Sequence, residues 1–279
     1  MDQTGLRVTD RYAVIGNPVG HSKSPWIHAK FAGQTGEDIE YGSILAPKEG
    51  FAAVVAAFKE AGGKGANVTL PFKEEAYAIS NELSGRAQAA RAVNTLLFSS
   101  SGITGDNTDG CGLTRDLKLN QAFKIRGRRV LLLGAGGAAR GVLLPLLEEH
   151  PASLVIANRT VEKARGLVNL LPGRGAEAVA VSSYDGLHGE SFDLVINATS
   201  AGMTDTALPL PAGLFAPGSL AYELMYGRET AFMRQAGSDG AARISDGLGM
   251  LVEQAAESFF LWRGVRPRTV PVLAEMRSA

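Results

Sequence analysis

The chain has 279 residues, enough for two domains of ordinary size. A hydrophobic content of 45% with 20% charged residues excludes a disordered or coiled-coil protein, and the balance of 28 Lys+Arg against 28 Asp+Glu speaks against a nucleic-acid binder, which needs excess cations to meet phosphates. A single cysteine, Cys111, excludes an internal disulfide and a multi-cysteine metal site, and no apolar run approaches the ~20 residues of a membrane span.

Strands and helices alternate along the first hundred residues. RYAVIG (11–16) is expected as a strand, followed by a helix over 24–36 with Pro25 in its first turn and Gly36 closing it. YGSILA (41–46) and a helix over 49–63 repeat the order. GANVTL (65–70) is a third strand, PFKEEAYAI a helix begun by Pro71, and NTLLFS (94–99) a fourth strand. The alternation predicts a mainly parallel sheet covered on both faces. A second series starts near 127 with strand, glycine turn and helix in RRVLLLGAGGAARGVLLPLLEEH (128–150). Further strands are expected at SLVIANR (153–159), AEAVAVS (176–182), FDLVINATS (192–200) and SLAYELMY (219–226). Two helices, GLGMLVEQAAESFFLWRG and TVPVLAEMRSA, end the chain. With a single cysteine and no apolar stretch of signal-peptide length in the first residues, a cytoplasmic location is expected.

The glycine content, 34 residues, is high and clusters in short runs that suit turns and close backbone approaches. In VLLLGAGGAARG (130–141), Gly134, Gly136 and Ala139 have the G-x-G-x-x-A spacing directly after an apolar strand and at the opening of a helix. Gly134 permits the tight turn, Gly136 lets the backbone approach a pyrophosphate, and Ala139 lets helix and strand pack closely. The helix N-terminus then offers free N–H groups to phosphate. At the end of the next strand, where NAD-binding folds place a carboxylate for the ribose hydroxyls, the chain has Asn158, Arg159 and Thr160, with Lys163 three residues on. Cations without a carboxylate suit the 2′-phosphate of NADP. Thr160 as a helix cap is the plainer account of that position.

Polar clusters follow the strands of the first half: GNPVGHSKSP (16–25), NVTLPFK (67–73), AVNT (92–95) and GDNTDGCGL (105–113). Together with NATSAGM (197–203), YELMYGRET (222–230) and GLGMLVEQAAESFFLW (247–262), in that order and spacing, they resemble the shikimate dehydrogenase family along nearly the whole chain. The resemblance implies an α/β fold of two domains: an N-terminal substrate domain over 1–109, completed by C-terminal helices 247–279, and a Rossmann-type NADP domain over 110–246. It implies Ser22 and Ser24 on the carboxylate of shikimate, and Thr69, Asn94, Tyr226 and Gln254 around its carboxylate and hydroxyls. Lys73 and Asp109 become the catalytic pair. Gly134, Gly136, Gly137, Ala138, Asn158, Arg159, Thr160, Lys163, Thr199, Ser200, Met225 and Gly247 line the NADP site. Two positions depart from the family pattern: Arg91 stands where a glycine is usual, and Glu223 where an aspartate is commoner.

Reducing a ketone needs a hydride and a proton for the developing alkoxide, and a lysine ammonium both stabilises and donates. The function implied is reversible reduction of 3-dehydroshikimate to shikimate with NADPH, on the route to chorismate and the aromatic amino acids. An enzyme of broader quinate or cofactor use is one alternative. The other is a non-catalytic dinucleotide-responsive module, which would have no need of Lys73 and Asp109. A small-molecule substrate, no nucleic acid, no membrane, no metal, and a monomer or homodimer are expected. Gly105, Gly110, Gly112, Gly247 and Gly249, near the crossings between the domains, are expected to absorb backbone rotation.

Overall fold

The computed structural model describes residues 9–171 and 173–278. Residues 1–8, the start of the expected first domain and of the stretch inspected for a signal peptide, lie outside the described residues. The chain divides into two units, Met1–Thr108 with Ala255–Ala279, and Asp109–Gln254.

The first unit begins with β1 (Asp10–Gly16), α1 (Ser24–Thr35), β2 (Ile39–Leu45), α2 (Phe51–Glu60), β3 (Gly63–Val68) and α3 (Lys73–Ile79). It continues with β4 (Glu82–Leu83), α4 (Gly85–Ala90), β5 (Thr95–Ser99) and β6 (Gly102–Asp106). The sheet order is β2-β1-β3-β5-β6-β4. β1 runs parallel to β2 and β3, and β4 runs parallel to β6, but β5 is antiparallel to both β3 and β6. The reversal follows from chain length: only two residues join Ser99 to its partner Gly102, and a connection that short makes a hairpin. The expected helix start at Pro71 moves to Lys73, because the Phe72 N–H closes a turn on the Thr69 carbonyl (3.1 Å) and helical bonding begins with Ala76 on Phe72 (2.8 Å). Ile15, Phe51, Val55, Val68, Phe72 and Leu96 are among the residues of one core.

The second unit opens with α5 (Asp109–Arg115), continued by a π-helical turn over Asp116–Asn120. Then come β7 (Arg129–Leu133), α6 (Gly137–Glu148), β8 (Ser153–Ala157), α7 (Val161–Val168), β9 (Val179–Ser182) and β10 (Phe192–Asn197). After these are α8 (Ala201–Thr204), β11 (Phe215–Glu223), α9 (Ala231–Ser238), β12 (Arg243–Ser245) and α10 (Leu248–Arg263). All six strands are parallel in the order β12-β11-β10-β7-β8-β9. This is the doubly wound order of a Rossmann-type domain, whose direction of winding reverses between β7 and β10. Val130, Leu132, Leu194 and Ile196 pack on one face, and Leu131, Leu133 and Val195 on the other. Burial on both faces explains why these strands read as unbroken apolar runs.

The boundary between the units falls inside α10, between Gln254 and Ala255. The remainder of α10 and the terminal α11 (Thr269–Ser278) pack onto the first unit. Trp262 donates its indole N–H to the Leu96 carbonyl (3.0 Å) and stacks on Tyr12 with ring centroids 4.6 Å apart. Arg263 ion-pairs with Asp10 and Glu37, and Lys30 with Glu275.

The glycines expected to provide rotation are explained within each unit by crowding. A Cβ on Gly110 would lie 2.4 Å from the Gly141 carbonyl oxygen, one on Gly112 2.6 Å from Gln254 Cβ, and one on Gly247 2.1 Å from the Leu224 oxygen. Gly105 is crowded by Ser80 and Val93, and Gly249 by Asp116. None of the five has a positive φ. Arg91 is the reverse case: it closes α4 in the left-handed conformation, at φ 46° and ψ 38°. A glycine takes that conformation freely, while an L side chain meets its own carbonyl there. Arg91→Gly should therefore stabilise the protein by about 1 kcal/mol, seen as a raised melting temperature. An unchanged or lowered melting temperature would show that the arginine side chain offsets the strain.

Candidate functional site

In the first unit, the polar residues expected to hold substrate follow strand ends. The Thr69 N–H bonds the Ile15 carbonyl (3.0 Å), and a Cβ on Gly16 would collide with the Thr69 methyl at 2.3 Å, so β1 and β3 end against each other. Ser22 accepts the Ser24 N–H on its hydroxyl (3.2 Å), and Ser24, the first residue of α1, is buried. Lys73 opens α3 half-buried, and its carbonyl takes the Val93 N–H (2.9 Å), which ties it to the segment carrying Asn94.

Asn94 lies in a buried polar network that leaves it one orientation. Its Oδ1 accepts the Thr108 N–H (2.8 Å) and the Thr95 hydroxyl (2.9 Å), while its Nδ2 donates to Thr108 Oγ1 (3.0 Å). Asn67 donates to the Asn94 carbonyl (3.2 Å), Thr95 Oγ1 (3.1 Å) and Ser258 Oγ (3.0 Å), and accepts the Tyr41 hydroxyl (2.7 Å). The turn that leads to Asp109 is braced in the same way. Asp106 takes two bonds from Arg86 (2.7 and 3.0 Å), one from Ser84 (2.5 Å) and one from the Asn107 N–H (2.7 Å). Asp109 is buried as the first residue of the second unit.

Next to this network, His28 is fully buried, stacked on Tyr41 with ring centroids 4.1 Å apart and flanked by Phe31, Phe259 and Trp262. Its ring nitrogens make no well-formed hydrogen bond. Burial pulls its pKa down to about 3, against a smaller upward pull from Asn67, so it is a neutral packing residue.

In the second unit, the glycine turn lies where the winding reverses. Gly134 has φ 104°, and a Cβ there would be 3.0 Å from the Ala198 oxygen at the end of β10. Gly136, Gly137 and Ala138 are exposed, with open space around the two glycines, while Ala139 is fully buried against the core. The first turn of α6 thus offers backbone N–H groups at an uncrowded, uncapped helix end. At the end of β8, Arg159, Thr160 and Lys163 are exposed. Asn158 donates to the Thr160 carbonyl (2.7 Å), and Thr160 makes no side-chain cap on α7, so the capping account of that position fails. Tyr184 is bonded by the Arg159 backbone. Open glycines, free backbone donors and the cations Arg159 and Lys163, with no carboxylate at the strand end itself and Glu162 turned to ion-pair with Arg165, fit a dinucleotide that bears an extra phosphate.

Thr199 and Ser200 follow β10, and the Thr199 N–H and hydroxyl both bond Asn197 Oδ1 (3.1 and 2.7 Å). Met225 and Tyr226 follow β11, and the Met225 carbonyl accepts the Gly247 N–H (2.9 Å). Burial raises the Tyr226 pKa, which keeps its hydroxyl a donor. Gln254 is half-buried on α10. Lys73, Ser22, Ser24, Thr69 and Asn94 therefore belong to the first unit, and Asp109, Tyr226, Gln254 and the cofactor set to the second. Asn67, Thr108, Ser258 and Asn197 belong to these networks, a role that no motif in the sequence assigns them. Polar residues on buried strands, as Asn67 and Asn197 are, were the available signal.

Comparison with known proteins covers most of the chain. The family described as shikimate dehydrogenase substrate binding domain matches residues 14–96, the shikimate / quinate 5-dehydrogenase family 117–204, and the shikimate 5′-dehydrogenase C-terminal domain 247–277. A protein of Methylobacillus flagellatus named shikimate dehydrogenase (NADP(+)) is 59% identical over 97% of this chain and 100% of its own. One of the same name from Nitrosospira multiformis is 59% identical over 98% of both. The crystal structure of an Ael1 enzyme from Pseudomonas putida is 50% identical with a TM-score of 0.91, covering 95% of this chain and 97% of that one. The Thermus thermophilus shikimate 5-dehydrogenase in complex with NADP(H) and shikimate is 32% identical with a TM-score of 0.84, covering 96% and 99%.

The buried imidazole gives a pH dependence of known sign. Below pH ~6.5 the unfolded chain protonates His28, but the folded chain does so only near pH 3. Stability should fall through that window by up to about 1.4 kcal/mol per pH unit, and His28→Phe should flatten the slope of the urea midpoint against pH. Equal slopes in the two proteins would show that His28 is not the titrating group.

Proposed function

The chain belongs to the shikimate dehydrogenase family, and we infer that it interconverts shikimate and 3-dehydroshikimate with NADP(H), a step of aromatic biosynthesis. The reading is carried by the joint presence of an open glycine turn at the reversal of a Rossmann-type sheet and a lysine tied through its backbone to the buried Asn94 network.

NADPH, when bound, supplies the hydride. Lys73 donates the proton that the new alcohol oxygen needs and stabilises the charge developing on it; in the reverse direction it takes that proton back. Asp109 is the acidic member of the catalytic pair. Ser22 and Ser24 bind the substrate carboxylate. Thr69, Asn94, Tyr226 and Gln254 bind its carboxylate and ring hydroxyls. The fixed amide of Asn94 reaches the ligand without a reorientation cost. Gly134, Gly136, Gly137 and Ala138 receive the pyrophosphate, while Asn158, Arg159, Thr160 and Lys163 receive the 2′-phosphate and adenosine. Thr199, Ser200, Met225 and Gly247 line the remainder. Among the described residues no helix is long and apolar enough to cross a membrane. The setting we propose is the cytoplasm, as a monomer or a homodimer.

Lys73→Ala should lower kcat for shikimate oxidation by roughly 10²–10⁴-fold, with shikimate KM changed little, since the lost interaction acts in the transition state. A near-native kcat with a raised KM would make Lys73 a binding residue. Quinate in place of shikimate, in the same assay, reads the breadth of the site.

Arg159→Ala should raise the KM for NADP+ by roughly 10-fold or more, the worth of a charge-assisted bond to phosphate, and leave the use of NAD+ as it was. Equal losses with both cofactors would assign Arg159 to adenine stacking or to the fold.

A further inference from the structure

Glu223 ends β11 with its side chain fully buried. Three donors converge on it. Its Oε1 accepts the Met225 N–H (3.0 Å), and its Oε2 accepts Asn197 Nδ2 (2.7 Å) and the Thr230 hydroxyl (2.9 Å). The orientation of each donor is fixed independently. Asn197 must present its NH2 to Glu223, because its Oδ1 already accepts the Thr199 N–H and hydroxyl (3.1 and 2.7 Å). The Thr230 oxygen accepts the Met233 N–H (3.4 Å) as the cap of α9, which turns its proton toward Glu223. A group that only accepts is an ionised carboxylate.

Burial raises the Glu223 pKa, and the Met225, Asn197 and Thr230 donors act against that rise. The bonds have a definite reach: one oxygen holds the backbone of Met225, and the other holds Thr199 through a single amide. Met225 is gripped from its other side by the Gly247 N–H on its carbonyl (2.9 Å), and the Thr199 hydroxyl accepts the Ala201 N–H (3.2 Å).

We propose that Glu223 is a positioning residue for NADP(H): its carboxylate joins the loops after β10 and β11, so that Thr199 and Met225 are held in one fixed spacing. The proposal rests on the assignment of Thr199 and Met225 to the cofactor site. The length of a glutamate side chain suits this role. It lets one group reach the backbone two residues on and a side chain of the neighbouring strand. Glu223→Gln keeps the volume but puts an NH2 against the Met225 N–H or the Asn197 NH2, two groups that can only donate.

The test is binding of NADPH alone, followed by its fluorescence, in Glu223→Gln, Glu223→Asp, Thr230→Val and Thr199→Val, with shikimate affinity measured separately by calorimetry. Glu223→Gln should raise the NADPH Kd by roughly 10-fold, the worth of a hydrogen bond to a charged group, with shikimate affinity unchanged. Glu223→Asp keeps the charge and should fall between wild type and Glu223→Gln, and it carries the test if the glutamine variant does not fold. Thr230→Val removes the one donor that is neither Met225 nor the Asn197 amide that holds Thr199; it should lower the melting temperature without changing the NADPH Kd. Wild-type NADPH affinity in Glu223→Gln or Glu223→Asp, beside a weakened Thr199→Val, would overturn the role of Glu223. A Thr230→Val variant as weak as Glu223→Gln would do the same by making the effect structural. Unchanged affinity in Thr199→Val would instead overturn the assignment of Thr199 on which the proposal stands.

Discussion

In the second unit six strands run parallel, and parallel strands deliver their crossovers in one direction, so β7, β8, β10 and β11 end along the same edge of the sheet. Apolar side chains on both faces hold each strand at a set depth, which leaves little freedom in where the chain leaves the sheet. The polar loop residues then fall into place: Gly134 after β7, Asn158 and Arg159 after β8, Thr199 after β10, Met225 after β11. The β7 turn approaches the end of β10 so closely that a Cβ at Gly134 would sit 3.0 Å from the Ala198 oxygen, and the φ of 104° there disfavours any side chain. Along this edge the β7 turn offers backbone N–H groups at open glycines, and the end of β8 offers the exposed cations Arg159 and Lys163.

The first unit reaches a comparable rigidity by another route. Asn67, Asn94, Thr95, Thr108 and Ser258 are all buried and bonded to one another. Leaving a buried donor or acceptor unmatched costs about 1–3 kcal/mol, so each member constrains the others. Asn94 cannot turn its amide without stranding Thr108, and Thr108 is fixed by a turn that Arg86 and Asp106 brace. Ser258 comes from α10, nearly two hundred residues beyond Asn67. The residues proposed to bind substrate are held in place by the protein itself, which is what a site of several weak polar contacts requires.

The two departures from the family pattern have opposite characters. Arg91 keeps the backbone conformation that a glycine would adopt and bears its strain at an exposed helix end. Glu223 is buried, and its surroundings are built to match it. One is a local cost that the fold tolerates, and the other is matched on both oxygens by the donors around it.

Strand and helix order, the Rossmann-type half and the polar clusters at strand ends were legible in the residues, because buried parallel strands and glycine turns leave local marks in composition. Strand ends were read too far: 192–200 ends at Asn197, 153–159 at Ala157 and 219–226 at Glu223. In each case the residues beyond the end still look like strand, but their backbone turns away to form the site. β6 and α5 were hidden because GDNTDG has the composition of a turn; its aspartate is neutralised by Arg86, twenty positions earlier. At the crossing glycines the fold gives a packing reason for glycine that the sequence does not show, since only the neighbour across the gap reveals why a Cβ is crowded out. By itself, then, the sequence determined the order of the longer elements, the kind of cofactor and the candidate chemistry, all carried by residues close together along the chain. The tertiary structure alone decided which polar groups face one another, such as Asn67 with Ser258 and Glu223 with Asn197. Those pairs are set by burial, which forces distant donors and acceptors to find each other and leaves no periodic trace in the chain.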